Sequence, residues 1–188
     1  MRRFKSYAVY IGLFVLYMHA SALPLEMGTG IPDPNAIQIG VSQHAVGHYT
    51  VRYTSPQVLQ TQLEINGQSW ILPELSGEAR LWRIGAPALP SVNRTFRIKN
   101  SGGVSVKLIS TKYHDISNIS IVPEQSLSST NADDFILPNA IYSRNEWYPS
   151  ELYTISEPSI LRDARIMLVG AHPIQYNPVT RTLRIYDE

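Results

Sequence analysis

No cysteine occurs in the 188 residues. A thiol nucleophile, a disulfide framework and any metal site built on thiolates are therefore excluded on this chain, and the fold rests on burial and backbone pairing alone. A sustained i, i+3, i+4 apolar repeat is also missing, which argues against helical architecture. So is a Gly-x-Ser-x-Gly nucleophile elbow, and Gly102-Gly103 is followed by neither a lysine nor a helical pattern, so it is no phosphate loop. Charge of one sign is scarce too: 16 Lys and Arg stand against 15 Asp and Glu. Without a polybasic patch, nucleic acid is not an expected partner. No apolar run reaches the roughly 20 residues that span a bilayer, so no stable membrane anchor is expected.

What the first residues do contain is an export pattern. Arg2, Arg3 and Lys5 precede the apolar run Ala8–Tyr17, and Ala20-Ser21-Ala22 supplies the small residues of a cleavage site after Ala22. Residues 1–22 are expected to be a signal peptide and the protein to be secreted. Removing them takes away three basic residues and no acidic one, turning a net charge of +1 into −2. Residues 23–36, with Pro24, Gly28, Gly30, Pro32 and Pro34, read as an irregular mature N-terminus. Residues 37–188 are long enough for one domain with a real core.

The dominant period from there on is two. Tyr49, Val51 and Tyr53 fall on one face of a strand. Gln62–Ile65 and Ser69–Leu72 flank Asn66-Gly67, which suits a type I′ hairpin turn because both central residues need positive φ. Gly77–Pro90 reads as an extended, non-central connection, since Pro87 and Pro90 cannot donate to a ladder. Thr95–Ile98, Val104–Ser110 and Ile119–Val122 are further strand candidates. Glu124–Asp134, nearly all polar, reads as an exposed loop. Two β-rich runs flank Asn177-Pro178 near the end, and the second carries on to the last residues. A domain rarely stops mid-strand, so the chain is expected to be the front of a longer protein. Thirteen prolines and many short runs predict an all-β, antiparallel, jelly-roll-like sandwich.

Candidate chemistry is thin. His44 and His48 have the spacing of two ligands on a helix face, yet the run from Tyr49 is β-type, and a turn feeding a strand fits better. His114-Asp115 looks like half a dyad, but neighbours on a strand face opposite ways. Arg162-Asp163 and Arg165 suggest an ion pair at a strand entrance. Tyr142, Trp147 and Tyr148, with Trp70, would suit a stand-alone surface adhesion or carbohydrate-binding module. No cofactor is expected.

The C-terminal stretch is more specific. Pro158-x-Ile160-Leu161-Arg162-Asp163-x-Arg165, then Pro173-x-Gln175-Tyr176-Asn177-Pro178-Val179-Thr180-x-Thr182-Leu183-Arg184-Ile185-Tyr186, resembles the end of the propeptide of gingipain-type (C25) cysteine peptidases. Gly85-x-Pro87-x-Leu89-Pro90 resembles an upstream segment of the same family. The resemblance implies a non-catalytic β domain that assists folding of a caspase-like peptidase encoded downstream in the same chain. It also implies that the domain keeps the peptidase latent by docking over its cleft. In Arg-specific members a loop offers a basic residue to the specificity pocket. The matching loop here, with Gln125, Ser126, Leu127, Ser128, Ser129, Thr130 and Asn131 as the expected inhibitory residues, contains no Lys or Arg. Three readings follow: the cognate peptidase is not specific for Arg or Lys, another element such as the nearby Arg144 blocks the cleft, or only the folding role remains.

Overall fold

Tyr49, Val51 and Tyr53 are buried, at 7%, 1% and 2% exposure, and Arg52 between them is exposed, as a half-buried strand requires. The computed structural model describes residues 9–19, 23–24, 36–45, 48–110, 112–126 and 134–186. Fourteen strands are described. The first half supplies β1 (Val9–His19), β2 (Leu23–Pro24), β3 (Gln38–Ala45), β4 (His48–Ile65), β5 (Gln68–Glu74), β6 (Ala79–Arg80) and β7 (Pro90–Arg97). The second supplies β8 (Ser105–Ser110), β9 (Tyr113–Ile116), β10 (Tyr153–Ile155), β11 (Ser159–Leu161), β12 (Ala164–Ala171), β13 (Ile174–Asn177) and β14 (Thr182–Tyr186). A 3-10 turn, Ala140–Ser143, is capped by the Asn139 side chain on the Ile141 N–H.

The strands form three antiparallel sheets. One runs β3-β4-β1-β8 with β5 on the far half of β4; the second runs β10-β12-β7-β2 with β11 and β6 added; the third is β13-β14-β9. The main core takes Val51, Tyr53 and Val58 from the first sheet, Val92, Phe96, Met167 and Val169 from the second, and Ile174, Tyr176, Leu183 and Ile185 from the third. The all-β, antiparallel expectation holds, and the core lies between facing sheets as in a sandwich.

The Asn66-Gly67 hairpin is present. Ile65 pairs with Gln68 and Glu64 with Ser69, and φ is 52° and 75° at the two turn residues, so Gln68 belongs to the strand. Other expectations need correction. The Gly77–Pro90 piece is no peripheral connection: Ala86, Ala88 and Leu89 are at 0%, 2% and 0% exposure. Pro90 opens β7, a central strand, at the first position, where a missing N–H is tolerated. Ile119–Val122 is not a full strand; it pairs at single bridges, with the Ile71 N–H on the Ser120 carbonyl at 2.7 Å and the Val122 N–H on the Ile71 carbonyl at 3.0 Å. Leu23–Pro24, read as irregular, pairs with Arg97 and Phe96.

The apolar run of the expected leader is a strand here. Val9–His19 lies between β4 and β8, in register from Val9 opposite Val58 to His19 opposite His48. Residues 20–22, with the expected cleavage site at Ala22, and most of the expected irregular N-terminus fall outside the described residues.

Phe96, at 0% exposure on β7 opposite Met167, carries a large share of the core. Phe96→Ala is expected to destabilise the domain by about 3–5 kcal/mol, whereas Arg52→Ala on the exposed face should stay within about 0.5 kcal/mol. Urea unfolding of the two variants checks the contrast.

Candidate functional site

The segment Pro123–Asn139 emerges from the second, smaller core of Trp70, Ala88 and Val122. Its outgoing limb is fixed by backbone. The Ala88 N–H donates to the Val122 carbonyl at 2.9 Å, the Glu124 N–H to the Ala86 carbonyl at 2.7 Å, and the Gly85 N–H to the Glu124 carbonyl at 2.9 Å. Pro87 and Pro123 face each other across this bridge, at positions whose N–H groups would have no ladder partner, so neither proline costs a hydrogen bond.

Glu124, expected on an exposed loop, is instead at 1% exposure. Arg80 on β6 holds it through Nε at 2.9 Å and Nη2 at 3.3 Å, the two-pronged geometry that offsets desolvation of a carboxylate. The carboxylate in turn raises the Arg80 pKa above its ordinary value, chiefly by that hydrogen bond.

The next residue closes the loop's neck. Gln125 donates from Nε2 to the Pro123 carbonyl at 2.8 Å and the Ile136 carbonyl at 3.1 Å, and its Oε1 accepts from the Ile136 N–H at 2.8 Å. One side chain thus ties the outgoing limb to the returning one. Phe135 then packs on Trp70, with ring centroids 6.0 Å apart. Of the expected inhibitory residues, Gln125 and Ser126 lie at this neck, while Leu127, Ser128, Ser129, Thr130 and Asn131 lie outside the described residues.

The returning limb explains Gly85. Its φ is +75°, and a Cβ there would stand 3.2 Å from the Asn139 Cβ and 3.3 Å from the Leu137 carbonyl oxygen, so only glycine lets the two segments lie together. Asn139 seals the contact, its N–H on the Gly85 carbonyl at 2.8 Å and its Nδ2 on the Ile84 carbonyl at 3.2 Å.

The C-terminal motif is structural in the same sense. Tyr176, at 2% exposure, donates its hydroxyl to the Ile119 carbonyl at 2.9 Å and exchanges backbone bonds with Tyr148. Gln175 donates to the Pro149 carbonyl at 2.7 Å and accepts from the Tyr186 hydroxyl at 2.6 Å. The Asn177 Oδ1 accepts from the Val179 and Thr180 N–H groups, forming the turn that Pro178 enters. The Pro173 carbonyl accepts from the Tyr186 N–H at 2.9 Å. Arg162 sits at the β11–β12 hairpin turn with φ of 58° beside Asp163. Arg165, rather than pairing with Asp163, donates to the Lys99 and Gly102 carbonyls at 3.0 and 2.9 Å.

The aromatics singled out for sugar stacking are engaged internally. Tyr142 donates to the Ile121 carbonyl at 2.8 Å and meets the Tyr176 ring edge-on. Trp147 lies over the Arg184 guanidinium, 4.1 Å from it, with Tyr113 at 3.7 Å, and Trp70 is at 6% exposure. The adhesion reading is therefore not favoured. His44 and His48 sit on paired strands, β3 and β4, not on a helix. Asp115 forms a two-pronged pair with Arg184 at 2.8 and 2.9 Å, which lowers the Asp115 pKa. Arg144, the alternative basic residue, lines a hollow of about 320 Å³ with Arg83, Glu146, Glu151 and His172.

His172 was not foreseen. At 3% exposure, it sits where β7, β10 and β12 meet. Its Nδ1 is 3.2 Å from the Ser91 Oγ, its Nε2 is 3.5 Å from the Thr154 Oγ1, and its N–H donates to the Leu152 carbonyl at 2.8 Å. Burial lowers its pKa.

Two outcomes follow from these contacts. Arg80→Met strands the Glu124 carboxylate and is expected to cost about 2–3 kcal/mol, less than the roughly 3–5 kcal/mol of a fully buried pair because Arg80 is itself 39% exposed; urea unfolding measures it. The folded state disfavours the charged His172 ring, so its contribution is complete above the unfolded value of about 6.5 and declines as pH falls below it, at up to about 1.4 kcal/mol per pH unit. The urea midpoint should drop from pH 7.5 to pH 5, and His172→Gln should flatten that drop.

Comparison with known proteins places this geometry. The family model described as Propeptide_C25 matches residues 29–188. Gingipain R1 of Porphyromonas gingivalis is 31% identical over 191 residues, covering 100% of this chain and 11% of the relative. Gingipain R2 is 35% identical over 107 residues, 55% of this chain and 14% of its own length. The chain thus spans well under a fifth of these relatives. Two solved structures share the fold. The complex of the P. gingivalis RgpB pro- and mature domains has a TM-score of 0.66 at 24% identity, covering 83% of this chain and 82% of that one. A gingipain K structure bearing on zymogenic latency has a TM-score of 0.69 at 18% identity, covering 90% and 94%. The chain belongs to the propeptide family of the C25, gingipain-type cysteine peptidases.

Proposed function

We infer that this propeptide folds ahead of a gingipain-like cysteine peptidase domain encoded in the same chain, assists its folding and keeps it latent. It does so by laying the loop from Gln125 to Asn131 over the active-site cleft. The observation that carries the inhibitory role is the neck. Gln125 bonds to both limbs and Glu124 is locked to Arg80, so a loop presented from this base arrives with part of its ordering cost already met. A segment held in one conformation also resists the distortion that hydrolysis demands of a substrate. The chain has no cysteine, so the thiol nucleophile belongs to the other domain.

Export fits the same reading. Cleavage after Ala22 would secrete the zymogen, and it would also withdraw β1 from between β4 and β8, leaving both strands with an open ladder edge. The mature first sheet is then β3-β4-β5, with β8 apart unless another strand takes the place.

Reading the gene past Glu188 is the first test, with an in-frame C25 peptidase domain expected and an immediate stop codon sinking the in-cis version. Adding the chain to the mature peptidase released from the zymogen should slow peptide hydrolysis in a saturable way. No inhibition at micromolar concentrations would remove the inhibitory role and leave only assistance in folding, read out as refolding yield with and without the chain.

A further inference from the structure

The loop contains no Lys or Arg between Glu124 and Asp134, so a cationic anchor in a specificity pocket is not among its resources. Affinity for the peptidase has to come from elsewhere, and the surface around the neck offers a source. Trp82 is 58% exposed, Ile84 39% and Leu137 72%. Single exposed apolar side chains are ordinary. These three are not scattered, because they ride on two segments that Asn139 and Gly85 hold in direct contact. The Asn139 amide is bonded to the Ile84 carbonyl, and the Leu137 carbonyl lies against Gly85. Trp82 and Ile84 project from a turn stiffened by the Ala86 N–H on the Arg83 carbonyl at 3.0 Å and the Leu81 N–H on the Leu89 carbonyl at 2.8 Å. The apolar groups are thus presented by rigid backbone, which lowers the entropy lost on docking.

Loop length sets where this surface must sit. From Ser126 to Phe135 there are ten residues, so the tip can stand no farther from the neck than about half the contour, roughly 17 Å at full extension. A tip that reaches into a cleft therefore brings the neck, and whatever surrounds it, against the cleft's rim.

We propose that Trp82, Ile84 and Leu137 form an apolar collar that seats on the rim of the peptidase cleft. The collar supplies most of the binding energy, and the loop supplies occlusion. The proposal rests on the docking reading above and divides it in two. Latency then does not depend on matching the loop to the peptidase's preferred side chain. Buried aromatic and aliphatic anchors dominate interfaces in this way, with surrounding contacts near neutral.

The test uses the 188-residue chain and the mature peptidase released from the zymogen. Dissociation constants are measured by biolayer interferometry, and inhibition is measured in parallel with a peptide substrate. Trp82→Ser with Leu137→Ser should raise Kd at least about 30-fold, the size expected for removing hot-spot anchors, with circular dichroism and melting temperature unchanged because both side chains are exposed. Replacing Leu127–Asn131 by Gly and Ser should abolish inhibition while changing Kd less than about tenfold. Leu137→Asp, read alone, guards against compensation within the double variant and should also weaken binding by about tenfold or more. Binding of the collar variants within threefold of wild type, with wild type itself binding, overturns the collar and leaves the docking reading standing. Failure of the wild-type chain to bind at all overturns both.

Discussion

A carboxylate removed from water costs several kcal/mol unless it is met by a counter-charge with good geometry, and Glu124 meets that condition through Arg80 alone of the cations described here. Much hangs on the pair. Glu124 is also a backbone node, taking the Gly85 N–H and giving its own to Ala86. If the carboxylate were unpaired, the segment that leaves the core would be driven toward solvent, and the bridge between Pro87 and Pro123 would go with it. The Gln125 brace, one residue on, would lose the outgoing limb that it ties down. The base of the loop is therefore held partly from outside it, by Arg80 on β6, alongside the backbone bonds to Gly85, Ala86 and Ala88.

The family motifs acquire physical content in the same region. Gly85 is required because two chain segments touch there at positive φ, and Pro87 is permitted because its position in the bridge calls for no N–H donor. Leu89 is wholly buried, and Pro90 starts β7. These residues hold the bridge from which the loop springs, just as Gln175, Tyr176 and Asn177 hold the turn of 3-10 helix and the cis Tyr148-Pro149 segment against the third sheet. The resemblance that identifies the domain is a resemblance of scaffold.

How much of this was readable beforehand follows from how strands show themselves. The Tyr49–Tyr53 strand and the Asn66-Gly67 hairpin were legible because one face is wet and the turn has its own residue code. β7 was half missed: Ser91 and Val92 are buried beside Pro90, so no alternation marks its first part, and the proline argued against a strand at all. Ile119–Val122 looked like a strand but pairs only at isolated bridges, because its neighbours are single residues of other segments rather than a continuous edge. Glu124 read as loop polarity, since nothing in the local sequence points to Arg80, 44 residues away. The buried His172, contacted by Ser91 and Thr154, was hidden for the same reason: its environment is assembled from three strands distant in sequence. The basic residue missing from the loop, by contrast, needed no structure to be seen.

The third sheet has a mechanical consequence. β14 lies between β13 and β9, with Leu183 opposite both Tyr176 and Ile116 and Ile185 opposite both Ile174 and His114. Antiparallel ladder bonds run across the strand, so tension applied along β14 from beyond Tyr186 shears the bonds on both sides together instead of peeling them one at a time. Arg184, clamped by Asp115 and sandwiched by Tyr113 and Trp147, resists the same slip. A pull along β14 is therefore met by two neighbouring strands at once rather than by one edge.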